Sequence, residues 1–123
     1  ARERPGLAEV IDAKTACTAA IMHRNDVPFD LLPAGQIEDL RPTRARLERL
    51  AESLLAPLAG YDLVFIDGAI VGRDRLTLAL AARSDVALLV VQAGSGRKSS
   101  TAEGAAILAR AHGARPHIVL VQP

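Results

Sequence analysis

The chain has 123 residues, half of them hydrophobic, and a formal charge of +1. That length suits a single domain, and the charge gives no broad drive toward DNA or anionic lipid. Its aromatic residues are Phe29, Tyr61 and Phe65, too few for the stacking platform that binds single-stranded nucleic acid, so no nucleic-acid partner is expected.

The first 25 residues read as two short helices, the second Ala-rich around "TACTAAIM". The only cysteine, Cys17, lies there, which excludes an internal disulfide and a multi-cysteine zinc site. It is expected on the helix's buried face. "FDLL" (29–32) reads as a short strand, and "LLPAGQIEDLRP" as a surface loop. Over 43–59, Leu47, Leu50, Ala51, Leu54 and Leu58 fall on one helical face, opposite most of Arg44, Arg46, Glu48, Arg49 and Glu52. Pro42 and Thr43 would start this helix and Gly60 would stop it. "YDLVFID" (61–67) reads as a strand, and 74–83 as a helix with Leu76, Ala79, Leu80 and Ala82 on one stripe. "DVALLVVQA" (85–93) is a third strand. Residues 100–112 form a helix, with Ser100 and Glu103 at capping-box spacing and Gly113 as its stop. "HIVLVQ" (117–122) closes the chain as a strand.

The last three strands are nearly continuous apolar runs, as in strands buried on both faces of a parallel sheet. Alternating strands and helices predict one α/β domain over 1–123 with a mostly parallel sheet. No apolar run reaches the ~20 residues of a membrane span, and no signal peptide opens the chain. A reducing, cytoplasmic setting is expected.

"VVQAGSGRKSST" (90–101) asks to be compared with a phosphate-binding P-loop, G-x-x-x-x-G-K-[ST]. With Lys98 and Ser99 on the pattern's Lys and Ser, Arg97 and Gln92 occupy both glycine positions. The backbone could not wrap a phosphate there. Arg97, Lys98 and Ser99 still precede or open a helix, whose N-terminus carries partial positive charge. They fit either anion contacts or a solvated loop. "YDLVFID" resembles a Walker B strand, whose final carboxylate, here Asp67, holds the water shell of Mg²⁺ at a nucleotide's phosphates. The bland alternative is that Asp67 serves the turn with Gly68.

Read in order, "RPGLAEVI", "FDLLPAG", "YDLVFID" and "SDVALLVVQAG", the last followed by a basic loop and "HGARPHIVLVQ", resemble a known family. It is the cytoplasmic tyrosine-kinase domain of bacterial polysaccharide chain-length determinants, within the MinD/ParA-like deviant-Walker ATPases. The resemblance covers nearly all of the chain. It implies a three-layer, P-loop-NTPase-like (Rossmann-like) α/β fold that is incomplete here. The P-loop strand and a second acidic motif would lie before residue 1. "ARERP" fits that motif's D-x-R-x-P poorly, with Ala1 and Glu3 in place of its Asp and Arg. "DGAIV" replaces the family's "DTPP", Val121 stands where an Asn is usual, and the C-terminal tyrosine cluster is absent.

The resemblance implies Asp67 as the catalytic and Mg²⁺-organising residue, with ATP and Mg²⁺ as cofactors of the parent protein, neither held tightly by this chain. It implies regulation of exopolysaccharide or lipopolysaccharide export at the inner membrane face. It also implies self-association and a membrane-anchored polysaccharide co-polymerase as partner, in the same polypeptide or another. In that family a region after "LPAG" helps subunits meet, a role the Arg-rich helix could fill through a neighbour's carboxylates. Alternatives are a non-catalytic interaction module that has lost the site, and a partitioning-type ATPase. Tyr61 is read as the start of a buried strand, not a phosphosite, and Asp26 and Asp30 as turn residues. His23, His112 and His117 lack metal-ligand spacing and suit surface or helix-end roles.

Overall fold

The computed structural model describes residues 4–37, 41, 43–50, 53–54, 56–94 and 96–122. The chain divides into two compact units, Ala1–Val64 and Phe65–Pro123. Ala1, Glu3, Pro42, Ala51 and Glu52, which entered the sequence reading, lie outside the described residues.

The first unit holds α1 (Leu7–Ile11), α2 (Cys17–Ala20), α3 (Arg44–Leu50) and α4 (Ala56–Leu58). α1 packs against both α2 and α3. Ile11 and Leu50 are each only 1% exposed, and Ala8, Val10, Cys17, Ala20 and Leu54 are buried as well. Burial pushes the Cys17 thiol above its ordinary pKa.

α1 is held by a clasp between distant stretches of sequence. Its first amides need partners outside the helix. Those of Leu7 and Ala8 donate to the carbonyls of Pro33 (2.8 Å) and Ala34 (3.0 Å). Glu9 Oε2 accepts from the Gly6 amide at 2.7 Å, and Oε1 from the Gln36 amide at 3.1 Å. The Gly6 amide draws the Glu9 carboxyl below its usual pKa, against partial desolvation and with help from the Gln36 amide. A Cβ on Gly6 would stand 2.3 Å from the Pro33 oxygen and 2.4 Å from the Gly35 nitrogen. Only glycine permits that approach. Gly35 itself adopts φ +73°, the left-handed region. "RPG" and "LPAG" are therefore two halves of one local structure.

Asp12, at the C-terminal end of α1, ties this helix to α3. Its carboxylate, 11% exposed, meets Arg46 Nε at 2.8 Å and Lys14 Nζ at 3.3 Å. Arg44 pairs with Glu48 at 2.8 Å along α3. Two arginines of the Arg-rich helix are thus engaged within the chain.

"FDLL" contributes one isolated antiparallel bridge, Met22 to Leu31, with hydrogen bonds of 2.7 and 3.0 Å, not a strand. Asp26 is paired with Arg24. Tyr61 does not begin a buried strand. It is exposed, and its hydroxyl donates to Asp30 Oδ2 at 2.7 Å, while His23 Nδ1 lies 2.8 Å from Asp30 Oδ1. The Tyr61 hydroxyl, then His23, lowers the Asp30 carboxyl pKa, and the same hydrogen bond raises that of Tyr61.

The second unit holds α5 (Arg75–Ala81), β1 (Leu88–Gln92), α6 (Lys98–His112) and β2 (His117–Val121). β1 and β2 pair in parallel, from Leu88 opposite His117 to Gln92 opposite Val121. α6 makes the crossover that parallel pairing requires. Ala87, Leu89 and Leu108 form its buried cluster, with Val71, Ala81, Val91 and Ala105 packed against it. α6 begins at Lys98, so Ser100 and Glu103 lie inside the helix and form no capping box. Gly113 ends it at φ +81°, as its position predicts.

Two expectations fail here. The apolar run 61–67 forms no strand, and every residue of β2 is exposed instead of being covered on both faces. Among the described residues, no hydrogen bond engages the backbone of residues 62–68. An apolar composition suits a strand, but regular structure comes only from a partner's ladder.

Candidate functional site

Asp67 follows that unpaired run. The chain just beyond it is pinned to the start of α5. Asp74 caps this helix, accepting from the Leu76 amide at 3.0 Å and the Thr77 amide at 3.1 Å. The Thr77 hydroxyl donates to Asp74 Oδ2 at 2.9 Å and accepts from the Ala69 amide at 3.0 Å. A Cβ on Gly68 would lie 2.8 Å from Thr77 Cγ2, so the turn after Asp67 sits directly on that side chain. The relay Asp74–Thr77–Ala69 fixes where the segment carrying Asp67 leaves. Sequence reasoning placed a helix here but missed this anchoring. The signal was present, since Asp74 immediately precedes the apolar stripe, where N-caps occur.

Asp67 is exposed and makes no hydrogen bond or ion pair among the described residues. It lines an open groove of about 730 Å³ that runs between residues 65–71 and 86–92, floored in part by α5 and α6. Ser100 and Thr101, in the first turns of α6, line the same groove. The chain therefore brings a carboxylate and two hydroxyls to one surface, beside the helix that follows the C-terminal end of β1.

Arg97, Lys98 and Ser99 are exposed and stand outside the groove lining. Arg97 is the N-cap of α6, with no side-chain cap hydrogen bond among the described residues, and Lys98 and Ser99 are its first residues. Gly94, with φ +77°, makes the turn out of β1. The hydroxyls on the groove are thus one and two residues beyond the serine that the P-loop comparison singled out. Among the described residues, no group of three or more His, Cys, Asp or Glu side chains could hold a metal ion.

The histidines are spread over both units. His112 Nε2 lies 2.8 Å from the Ser84 carbonyl oxygen and fastens the end of α6 to the turn after α5. Its buried Nδ1 has no hydrogen-bond partner among the described residues. Among the described residues, no helix is long and apolar enough to cross a membrane. Comparisons with models of known families, with curated proteins and with solved structures find no match to this chain.

Proposed function

We propose that this chain is part of a cytoplasmic, ATP-binding tyrosine-kinase-like domain that regulates exopolysaccharide or lipopolysaccharide export, and that alone it is inactive. One observation carries this reading: Asp67 shares a groove with Ser100 and Thr101 of the helix that follows β1. In open α/β folds, ligands sit beyond the carboxyl ends of the strands. Asp67 would hold the water shell of Mg²⁺, and the amide end of α6 would face phosphate oxygens. A P-loop would supply the remaining clamp, and without it phosphoryl transfer has no means of positioning the transferred group. The three-layer fold, self-association and the membrane-anchored co-polymerase partner belong to this proposal.

The test is calorimetric titration of Mg-ADP. The chain alone gives no saturable heat at millimolar nucleotide. A fusion that supplies a P-loop strand ahead of residue 1 binds, and Asp67→Ala in that fusion weakens binding at least about tenfold. Saturable binding by the chain alone, abolished by Asp67→Ala, contradicts the site-incomplete reading.

A second reading, a non-catalytic interaction module, is favoured by the exposed aliphatic strands of the second unit. A P-loop fusion that folds and binds no nucleotide would select it.

A further inference from the structure

The first unit has a cavity of about 340 Å³, lined by the chain just ahead of α1 and by residues at and beyond the end of α2. Its volume lies at the low end for small-molecule sites, about 300–1,000 Å³. Arg4 and His23 are its ionisable lining residues, and Ala19, Ala20 and Ile21 are aliphatic ones. Both ionisable residues are carried on fastened backbone. Arg4 stands just ahead of Gly6, where the clasp closes on "LPAG". His23 follows Met22, whose amide and carbonyl both pair with Leu31. The Arg4 guanidinium and the His23 amide make no hydrogen bond or ion pair among the described residues, whereas Arg24, Arg44 and Arg46 of the same unit are engaged. Asp30 fixes the imidazole. A carboxylate only accepts, so the 2.8 Å contact with Asp30 Oδ1 puts a proton on His23 Nδ1. Tyr61 holds the other oxygen of that carboxylate at 2.7 Å. In the neutral ring Nε2 is then a lone pair, and in the imidazolium it is a second N–H.

We infer that this cavity binds a small phosphate monoester, and that His23 takes a proton from solvent as the ligand's dianion binds. The lining residues supply three kinds of donor: the Arg4 fork, the His23 amide and, in the imidazolium, His23 Nε2. A carboxylate has two oxygens, which a guanidinium alone can satisfy. A phosphate presents three acceptor oxygens and can engage every donor. Ala19, Ala20 and Ile21 suit a short carbon chain on the ester oxygen. The other ionisable groups about His23 are Asp30 with Tyr61 behind it, Arg4 on the same cavity, and Arg24, which is paired with Asp26; α2 adds only the buried Cys17. A bound dianion favours the imidazolium over the neutral ring. Binding therefore weakens as pH rises across the interval in which histidines lose their charge. The site lies in a different unit from Asp67 and is independent of nucleotide binding there. Mg-ADP brings phosphate oxygens already engaged by the metal and is not a ligand of this cavity.

The experiment is calorimetric titration of the whole chain, without magnesium, with glycerol phosphate, sulfate and acetate in turn. Glycerol phosphate is expected to bind 1:1 and saturably near neutral pH. Sulfate stays a dianion throughout, so its pH dependence belongs to the protein. Its affinity is expected to fall about tenfold between about pH 5.5 and about pH 8. Arg4→Gln weakens glycerol phosphate at least about tenfold. His23→Gln flattens the sulfate profile, and Asp67→Ala changes neither ligand. All three positions are exposed, so each variant keeps the thermal transition of wild type. Absence of saturable glycerol phosphate binding overturns the inference. So does binding that Arg4→Gln leaves unchanged, a sulfate affinity that does not fall with pH, or acetate binding as tightly as glycerol phosphate.

Discussion

The two units treat hydrophobic sequence in opposite ways. In the first, a short helix is fastened by named hydrogen bonds: Leu7 and Ala8 to Pro33 and Ala34, and Glu9 to Gly6 and Gln36. In the second, the strongest apolar runs of the chain lie open, with Phe65 82% and Val90 63% exposed. The difference lies in where each element finds its partners. The clasp of the first unit is complete within residues 6–36. A strand is completed only by another strand, and residues 65–68 and the outer edge of β1 have none among the described residues.

The comparison can be broken most severely at Gly6. Gly6→Ala sets a methyl group 2.3 Å from the Pro33 oxygen. Unless backbone shifts, that collision belongs with the exceptional substitutions costing above about 4 kcal/mol. The expected result is loss of the cooperative thermal transition of the first unit. A variant that melts like wild type would show that the clasp is not as close as described.

Leu50→Ala comes next. It empties a site that is 1% exposed, with an expected loss of about 2–5 kcal/mol. Denaturant unfolding measures this as a lower midpoint with an unchanged slope.

Glu9→Gln is smaller and depends on pH. The folded-state pKa of Glu9 lies below its ordinary value, so the unfolded chain binds the proton more readily. The stabilisation is fully present above the ordinary glutamate pKa of about 4.3 and is lost as pH falls through the lowered folded value. Wild type should lose stability over that acid window faster than Glu9→Gln, and the two curves should converge at the acid end. Parallel curves would show that the carboxylate contributes nothing beyond its hydrogen-bonding shape.

Phe65→Ala closes the series near zero. At 82% exposure the ring has little burial to lose, and the expected change is within about 0.5 kcal/mol. A loss comparable to that of Leu50→Ala would mean that this ring is covered in solution.

Much of this was legible in the sequence wherever local chemistry decides. The stripe of Leu47, Leu50, Leu54 and Leu58 marked a helical region, and Leu50 and Leu54 are buried. Gly113 marked the end of α6, Cys17 lies in a buried short helix, and 88–92 and 117–121 pair in parallel. What could not be read was which apolar run would lack a partner. "YDLVFID" has the composition of a strand, yet composition does not state which strand lies beside it. The same limit hid the clasp, because nothing in "RPG" names "LPAG" as its partner. The groove was half legible. Asp67 was marked by the end of its apolar run and Asp74 by its N-cap position before the stripe, whereas the place of Ser100 and Thr101 on the groove depends on how α6 packs.

The most direct measurement is residue-resolved amide hydrogen exchange on the chain under native conditions. The account predicts strong protection at Leu7, Ala8, Gln36, Met22 and Leu31, whose amides are hydrogen-bonded. It predicts exchange near intrinsic rates at Phe65, Ile66, Asp67 and Gly68 and at the outward amides of Leu88 and Val90. Protection at residues 65–68 equal to that at Leu7 would contradict it, because that run would then already lie in a ladder.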